Sequence, residues 1–337
     1  MRNIKAESDS YTLIKTDCEL NLAQFAQSVK QGLTSSPKFL LERDVYDAEG
    51  SLLFEKVCQS PEYYLTRTEN EILSEKSSEI VNMLPENITL VELGSGNSEK
   101  TRQLIEALLK KQTYLRYVPI DISFPMLDES ARSLTQEYPL LDIVGIAATY
   151  HDGINILKER VNSCPKLILW LGSSIGHVCY EKTADFLKTV RTTLMADQDA
   201  ILVGIDLKKE KTILEAAYND SHSAGNCFAK NILTRINSEL SGNFIPACFD
   251  YRAVFNETEG NIEINLISRK AQQVQIDSLA LKVDFDKGEA VHLHNAYKYS
   301  KEDILTLAEN SGMKLSNQWT DIRDMFSVNL FSLNTNS

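Results

Sequence analysis

From residue 88 to residue 206 the chain alternates short apolar runs with longer stretches of helical periodicity. The runs Ile88–Leu93, Leu115–Asp121, Leu141–Ala147, Pro165–Leu171 and Ala200–Asp206 are largely aliphatic, the pattern of strands buried on both faces of a parallel sheet. Between them, Thr101–Lys110 spaces Leu104, Ile105, Leu108 and Leu109 as one helix face, and Pro125–Glu137 and Lys182–Met195 read as helices. Strands alternating with helices predict an open α/β sheet. Upstream, amphipathic helices are expected around Leu20–Leu33 and over Glu69–Met83, behind a polar stretch, residues 1–18, expected to stay loosely ordered until it docks. After Asp206 the alternation stops. Glu210–Tyr218 and Phe228–Leu240 read as helices around a polar loop, Asn219–Asn226, and Tyr251–Phe255, Ile262–Ile267 and Ala280–Phe285 as short strands, an α+β segment suited to binding a substrate. Ser300–Asn310 returns to helix. Lys314–Trp319 and Phe326–Leu333 predict an antiparallel hairpin on the edge of the parallel sheet.

The chemistry concentrates at the carboxyl ends of the apolar runs. Leu90–Leu93 passes into Gly94-Ser95-Gly96 and then into a helix, so the backbone can approach a ligand closely and present helix N-terminal amides to it. Such a turn also occurs for geometry alone. The next run ends in Asp121, 25 positions beyond Gly96, where nucleotide-binding units place the carboxylate that accepts ribose hydroxyls. The competing reading makes Asp121 a cap for the helix starting near Phe124. Glu99 stands where a dinucleotide fingerprint has its third glycine, which favours S-adenosylmethionine over a dinucleotide. The fourth run stops at Gly172-Ser173-Ser174-Ile175-Gly176-His177, either a ligand loop at a strand's carboxyl end or a serine-capped turn. Pro37–Tyr64 is dense in aromatics (Phe39, Tyr46, Phe54, Tyr63, Tyr64), a composition that also fits half-buried packing with wet hydroxyls.

Composition narrows the class. With 337 residues and 43% apolar positions the chain can build a sizeable core, in two domains or one enlarged one. No run approaches about 18 uninterrupted apolar residues, and Met1–Thr16 is too polar for a signal peptide, so a soluble cytoplasmic protein with no membrane partner is expected. Cys18, Cys58, Cys164, Cys179, Cys227 and Cys248 show no C-x-x-C spacing, which points to reduced thiols rather than disulfides or zinc. A net charge of −12 argues against nucleic acid and for a small substrate.

Taken together, Ser60-Pro-Glu-Tyr-Tyr-Leu-Thr-Arg-Thr-Glu69, Val91-Glu-Leu-Gly-Ser-Gly96 with Glu99-Lys100, Leu171-Gly-Ser-Ser-Ile-Gly176, Gly204-Ile-Asp-Leu207 and Ala217-Tyr-Asn-Asp220 resemble the ergothioneine-type histidine Nα-methyltransferases. The resemblance runs in the same order from about residue 30 to residue 333. Tyr150-His-Asp-Gly153 and Ala296-Tyr-Lys-Tyr-Ser300 are also similar to the fungal relatives that methylate dimethylallyltryptophan. The resemblance implies an α/β fold with a class I Rossmann-like seven-stranded methyltransferase sheet and an additional α+β substrate-binding domain. The division it implies is 66–206 plus 297–337 for the S-adenosylmethionine domain and 1–65 plus 207–296 for the substrate domain.

Carried over residue by residue, the resemblance implies that Gly94, Ser95, Gly96 and Lys100 lie along the cofactor's methionine end and that Asp121 holds its ribose. Tyr150 is placed beside the adenine, with Thr149 where the family has an acid. Tyr63 and Tyr218 match the tyrosines that grip the substrate's amino and carboxylate groups, with Tyr46 and Gly172 near them. The departures fall on the substrate side: His177 stands for an asparagine, His294 and Ala296 for a glutamate and a serine that bind the imidazole, and Ile264 for a methionine. Loss of that glutamate weakens the case for histidine and leaves room for a bulkier aromatic such as tryptophan or a derivative, because a site loses strongly on an unmatched hydrogen bond. His292 and His294 are expected to share one strand face, but no third metal ligand is evident, so no metal is expected. The implied activity is transfer of a methyl group from S-adenosylmethionine to the α-amino group of a free amino acid by a monomer. A catalytically silent cofactor-binding sensor or scaffold is the alternative; its mark would be loss of Tyr63 and Tyr218, and both are present.

Overall fold

The structure is a computed structural model describing residues 2–5, 11–15, 22–160, 164–194 and 198–333. Cys18, the expected helix start at Leu20 and the expected helix end at Met195 lie outside the described residues. In chain order the elements are β1 (Arg2–Lys5), β2 (Tyr11–Lys15), α1 (Leu22–Thr34), β3 (Lys38–Phe39), α2 (Ala48–Gln59), α3 (Tyr64–Asn82), β4 (Thr89–Leu93), α4 (Arg102–Lys111), β5 (Leu115–Asp121), α5 (Phe124–Glu137), β6 (Leu141–Ala147), α6 (Tyr150–Arg160), β7 (Lys166–Trp170), α7 (Tyr180–Arg191) and β8 (Ala200–Asp206). They continue with α8 (Lys211–Tyr218), α9 (Ala224–Leu240), β9 (Phe249–Asn256), β10 (Asn261–Ser268), β11 (Gln272–Ile276), β12 (Leu281–Phe285), β13 (Ala290–Tyr297), α10 (Lys301–Asn310), β14 (Met313–Thr320) and β15 (Phe326–Leu333).

Two compact units result: Met1–Glu19 with Leu65–Lys208 and Lys298–Ser337, and Leu20–Tyr64 with Lys209–Tyr297. The first is a sheet in the order β1-β2-β6-β5-β4-β7-β8-β15-β14. Strands β4, β7 and β8 are buried at every position, as strands covered on both faces must be, and β15 pairs antiparallel with β8 to carry the β14 edge. The chain winds outward from β4 through β5 to β6, then restarts at β7 on the other side, so the order reverses at β4. Open α/β sheets bind ligands outside the carboxyl ends of the strands at such a reversal.

The N-terminal stretch departs from expectation. Within residues 1–18, β2 pairs parallel with β6 over Tyr11–Lys15 and buries Tyr11, Leu13 and Ile14, while β1 pairs antiparallel with β2. Assignment of all of 1–65 to the substrate domain is therefore corrected for this strand, whose backbone pairs with what would otherwise be the β6 edge of the sheet.

In the second unit β3-β13-β10-β9 form one sheet and β11-β12 a separate hairpin. Neither β11 nor α2 is marked by the periodicity of the sequence, and the aromatic stretch Pro37–Tyr64 forms helix and turns. Asp47 caps α2 by accepting the Gly50 N–H at 2.7 Å. A second correction concerns β13. Ile264 pairs with His294 but Asn265 pairs with His292, so Leu293 is bulged out of the ladder. Directly opposed residues point to the same side and adjacent residues to opposite sides, which puts His292 and His294 on different faces.

Candidate active site

In the first unit the glycine turn is built by close approach. Gly94 (φ 73°) and Gly96 (φ 51°) both take left-handed backbone. A Cβ on Gly94 would meet the Tyr150 hydroxyl at 2.5 Å, whereas one on Gly96 would meet nothing within 4 Å. The turn is pinned from β5: Gly94 N–H donates to the Ile120 carbonyl at 2.8 Å, and Gly96 N–H to Asp121 Oδ2 at 2.9 Å. Asp121 Oδ1 accepts the Ser123 N–H at 2.9 Å, just ahead of α5. The N-cap of α5 is Ser123, so Asp121 stops short of the helix and does not cap it; its two oxygens instead tie the Ser123 N–H to the glycine turn. Burial raises its carboxyl above the usual range, against backbone hydrogen bonds that lower it.

The residues present fit S-adenosylmethionine at this turn. The Ser95 hydroxyl is buried and has no hydrogen-bond partner among the described residues, and Gly96 borders open space where a larger residue would intrude. Tyr150 opens α6, and packs edge-on to Trp170 at 6.2 Å and against Phe186 at 6.1 Å. Thr149, which replaces an expected acid, donates its hydroxyl to Asp152 Oδ2 at 2.6 Å, so a carboxylate stands one helical turn away from the missing one.

Glu69 joins this set, although the sequence reading used it only as part of a motif. It is fully buried in the second turn of α3, pairs with Lys100, and accepts the Gly172 N–H at 2.9 Å. A Cβ on Gly204 would fall 1.8 Å from its carboxylate, so that glycine is there to admit the acid. Gly172 (φ 75°) begins the loop after β7, and His177 at the end of that loop is exposed.

In the second unit an aromatic wall runs from Tyr46 to Tyr218. Tyr46 packs edge-on against Phe54 (5.6 Å) and Phe228 (5.1 Å), Phe54 against Tyr63 (6.4 Å), and Tyr63 against Tyr218 (6.0 Å). Tyr63 is buried and Tyr218 half-buried. The loop beyond Tyr218 is held at several points. Tyr251 donates its hydroxyl to the Tyr218 carbonyl at 2.9 Å, and Asp220 accepts the N–H groups of Ala224 (2.7 Å) and Gly225 (2.8 Å) that open α9. Ser221 N–H reaches Glu62 Oε1 at 3.3 Å, and hydrogen bonds from Ser221, its own backbone and Ser60 pull the Glu62 carboxyl down to about 2.

Ile264, His294 and Ala296 come together on one face of the β13-β10-β9 sheet, which also carries Ala253 and Tyr251. Ile264 and Ala296 are buried. His294 Nε2 lies 3.6 Å from Glu42 Oε1, and both side chains are largely sheltered. Glu42 was not anticipated; no periodicity marks a carboxylate in a short turn before Tyr46. His292 lies on the opposite face, and burial lowers its pKa.

A sequence model of the histidine-specific, S-adenosylmethionine-dependent methyltransferases matches residues 25–333. The chain is 35% identical over 304 residues to the histidine Nα-methyltransferase of Mycolicibacterium smegmatis, covering 90% of this chain and 93% of that protein. It is 34% identical over 304 residues to the protein of the same name from Mycobacterium tuberculosis, with the same coverage. A 4-dimethylallyltryptophan N-methyltransferase of Claviceps fusiformis is 27% identical over 313 residues, covering 87% of each chain.

Proposed function

Because this chain belongs to the family of histidine-specific, S-adenosylmethionine-dependent methyltransferases, we propose that it methylates the α-amino nitrogen of a free amino acid. The observation that carries this reading is the identity of 35% and 34%, each over 90% of the chain, to two proteins named histidine Nα-methyltransferases. Gly94, Ser95, Gly96 and Lys100 take the methionine end of the cofactor, Asp121 its ribose, and Thr149 and Tyr150 its adenine. The bound cofactor supplies an electrophilic methyl group on sulfur. What remains for the protein is to aim the amine along the line of displacement and to keep it unprotonated. Tyr63 and Tyr218 orient the head group through their hydroxyls, and the apolar wall with Tyr46 and Phe54 disfavours an ammonium by desolvation. Nothing in the chain favours a silent cofactor-binding protein.

The substrate's side chain is read by the face that carries Ile264, His294 and Ala296. We take it to be an aromatic amino acid, indole before imidazole, because two of these three positions are buried and apolar and none offers the carboxylate and hydroxyl pair that suits an imidazole. Glu42 beside His294 keeps histidine as the second candidate. Incubating the purified protein with methyl-labelled S-adenosylmethionine and equal amounts of histidine and tryptophan tests the order. Label on tryptophan in excess supports it, and efficient methylation of histidine with none of tryptophan reverses it.

A further inference from the structure

Glu92 lies two residues before Gly94 in a largely apolar strand and is fully enclosed. It ends a chain of buried hydroxyls. Thr101, at the start of α4, donates to Glu92 Oε1 at 2.7 Å, and the Tyr117 hydroxyl on β5 donates to Glu92 Oε2. Ser98, with a left-handed φ of 54°, lies 2.9 Å from the Tyr117 hydroxyl, and Ser130 on α5 donates to Ser98 at 2.9 Å. All four hydroxyl residues are buried. Run from Ser130 through Ser98 and Tyr117, every hydrogen points toward the carboxylate, which accepts from both sides only when ionised. The chain joins β4, β5, α4 and α5 on the two flanks of the loop bearing Gly94, Gly96 and Lys100.

We infer that Glu92 is a positioning residue for the cofactor: its carboxylate, through Tyr117, Ser98 and Thr101, holds the Gly94–Lys100 loop in the shape that receives S-adenosylmethionine. This rests on the reading that the cofactor lies against that loop. Burial pushes the Glu92 carboxyl up to about 7, opposed by hydrogen bonds from Tyr117 and Thr101 and by the charge of Lys100, and assisted by Glu69. A proton on Glu92 must be donated to Tyr117 or Thr101, which breaks the direction of the chain. Cofactor affinity therefore rises as pH rises through about 7.

The test is calorimetric titration of the purified full chain with S-adenosylhomocysteine from pH 6 to pH 8.5. The parent's affinity should rise about tenfold, the worth of one charged hydrogen bond. Glu92→Gln, which imitates the protonated acid, should stay near the parent's low-pH affinity throughout. Ser98→Ala serves if that variant does not fold, and should weaken binding severalfold while keeping the parent's pH midpoint. Asp121→Ala runs alongside. If Asp121→Ala weakens binding while Glu92→Gln follows the parent at every pH, or Ser98→Ala binds as the parent does, the role given to Glu92 is overturned. If Asp121→Ala also binds as the parent does, the cofactor site itself is misassigned.

Discussion

His294 stands directly opposite Ile264 in the ladder between β10 and β13, and Ala296 opposite Ile262, so the first and third residues of His294-Asn295-Ala296 share one buried face. The bulge at Leu293 lies just before this segment, and the pairing of these positions is undisturbed by it. Residues two apart in a strand point the same way. His294→Glu with Ala296→Ser should therefore restore a carboxylate and a hydroxyl on that face and raise kcat/KM for histidine relative to tryptophan, by up to about 10⁴-fold if both bonds form. Competition between the two amino acids for labelled methyl reads the ratio. An unchanged ratio would remove these positions from substrate recognition.

Asp121 gives the next expectation. Its Oδ2 accepts the Gly96 N–H, and Asp121→Ala should weaken S-adenosylhomocysteine binding by roughly 1.5–3 kcal/mol through loss of a charged acceptor. Calorimetry of variant and parent at one pH decides it, and equal affinities would leave Asp121 as a brace between the Gly96 and Ser123 N–H groups.

Tyr63 and Tyr218 meet edge-to-face at 6.0 Å, so removing either hydroxyl keeps the ring packing. Tyr63→Phe and Tyr218→Phe should keep the parent's melting temperature and cofactor affinity while lowering kcat/KM on the best amino acid by at least about tenfold, the worth of one hydrogen bond to a charged group. Parental kcat/KM in both variants would leave the two rings as packing only.

Glu92 predicts a pH dependence of stability of definite sign. Its carboxyl titrates at about 7 in the fold against a reference of 4.5, so the folded chain holds the proton over an interval in which the unfolded chain has released it. The favourable contribution is complete below pH 4.5 and is lost as pH rises through about 7. Urea unfolding of Glu92→Gln and the parent should show the difference moving in the variant's favour by roughly 3 kcal/mol between pH 4.5 and pH 8. A difference constant with pH would contradict it. An acid that assists the cofactor and destabilises the fold is the usual trade at a functional site.

The sheet was legible because its central strands are buried on both faces: β4, β7 and β8 are predominantly apolar, and the glycines after β4 and β7 and Asp121 of β5 punctuate the carboxyl ends. What was not legible depends on partners far apart in sequence. Glu92 interrupts an apolar run, and its role emerges only when β5 brings Tyr117 beside it. Glu69 sits on a helix of ordinary polarity and becomes a hub because Gly204, 135 positions later, leaves room for it. The strand β2 was hidden because five residues in a polar terminus gain their place in the sheet from β6, about 130 positions later in the chain. The bulge in β13 has no local signature, and it separated two histidines that simple alternation had placed together.

The proposed reaction has the α-amino nitrogen as the acceptor atom. Fragment-ion mass spectrometry of the product, made with methyl-labelled S-adenosylmethionine and the preferred amino acid, locates the label directly. The predicted result is label on the α-nitrogen, present with the parent and reduced in Tyr63→Phe and Tyr218→Phe. Label on a ring nitrogen, or no labelled amino acid from a protein that binds S-adenosylhomocysteine, would contradict the account.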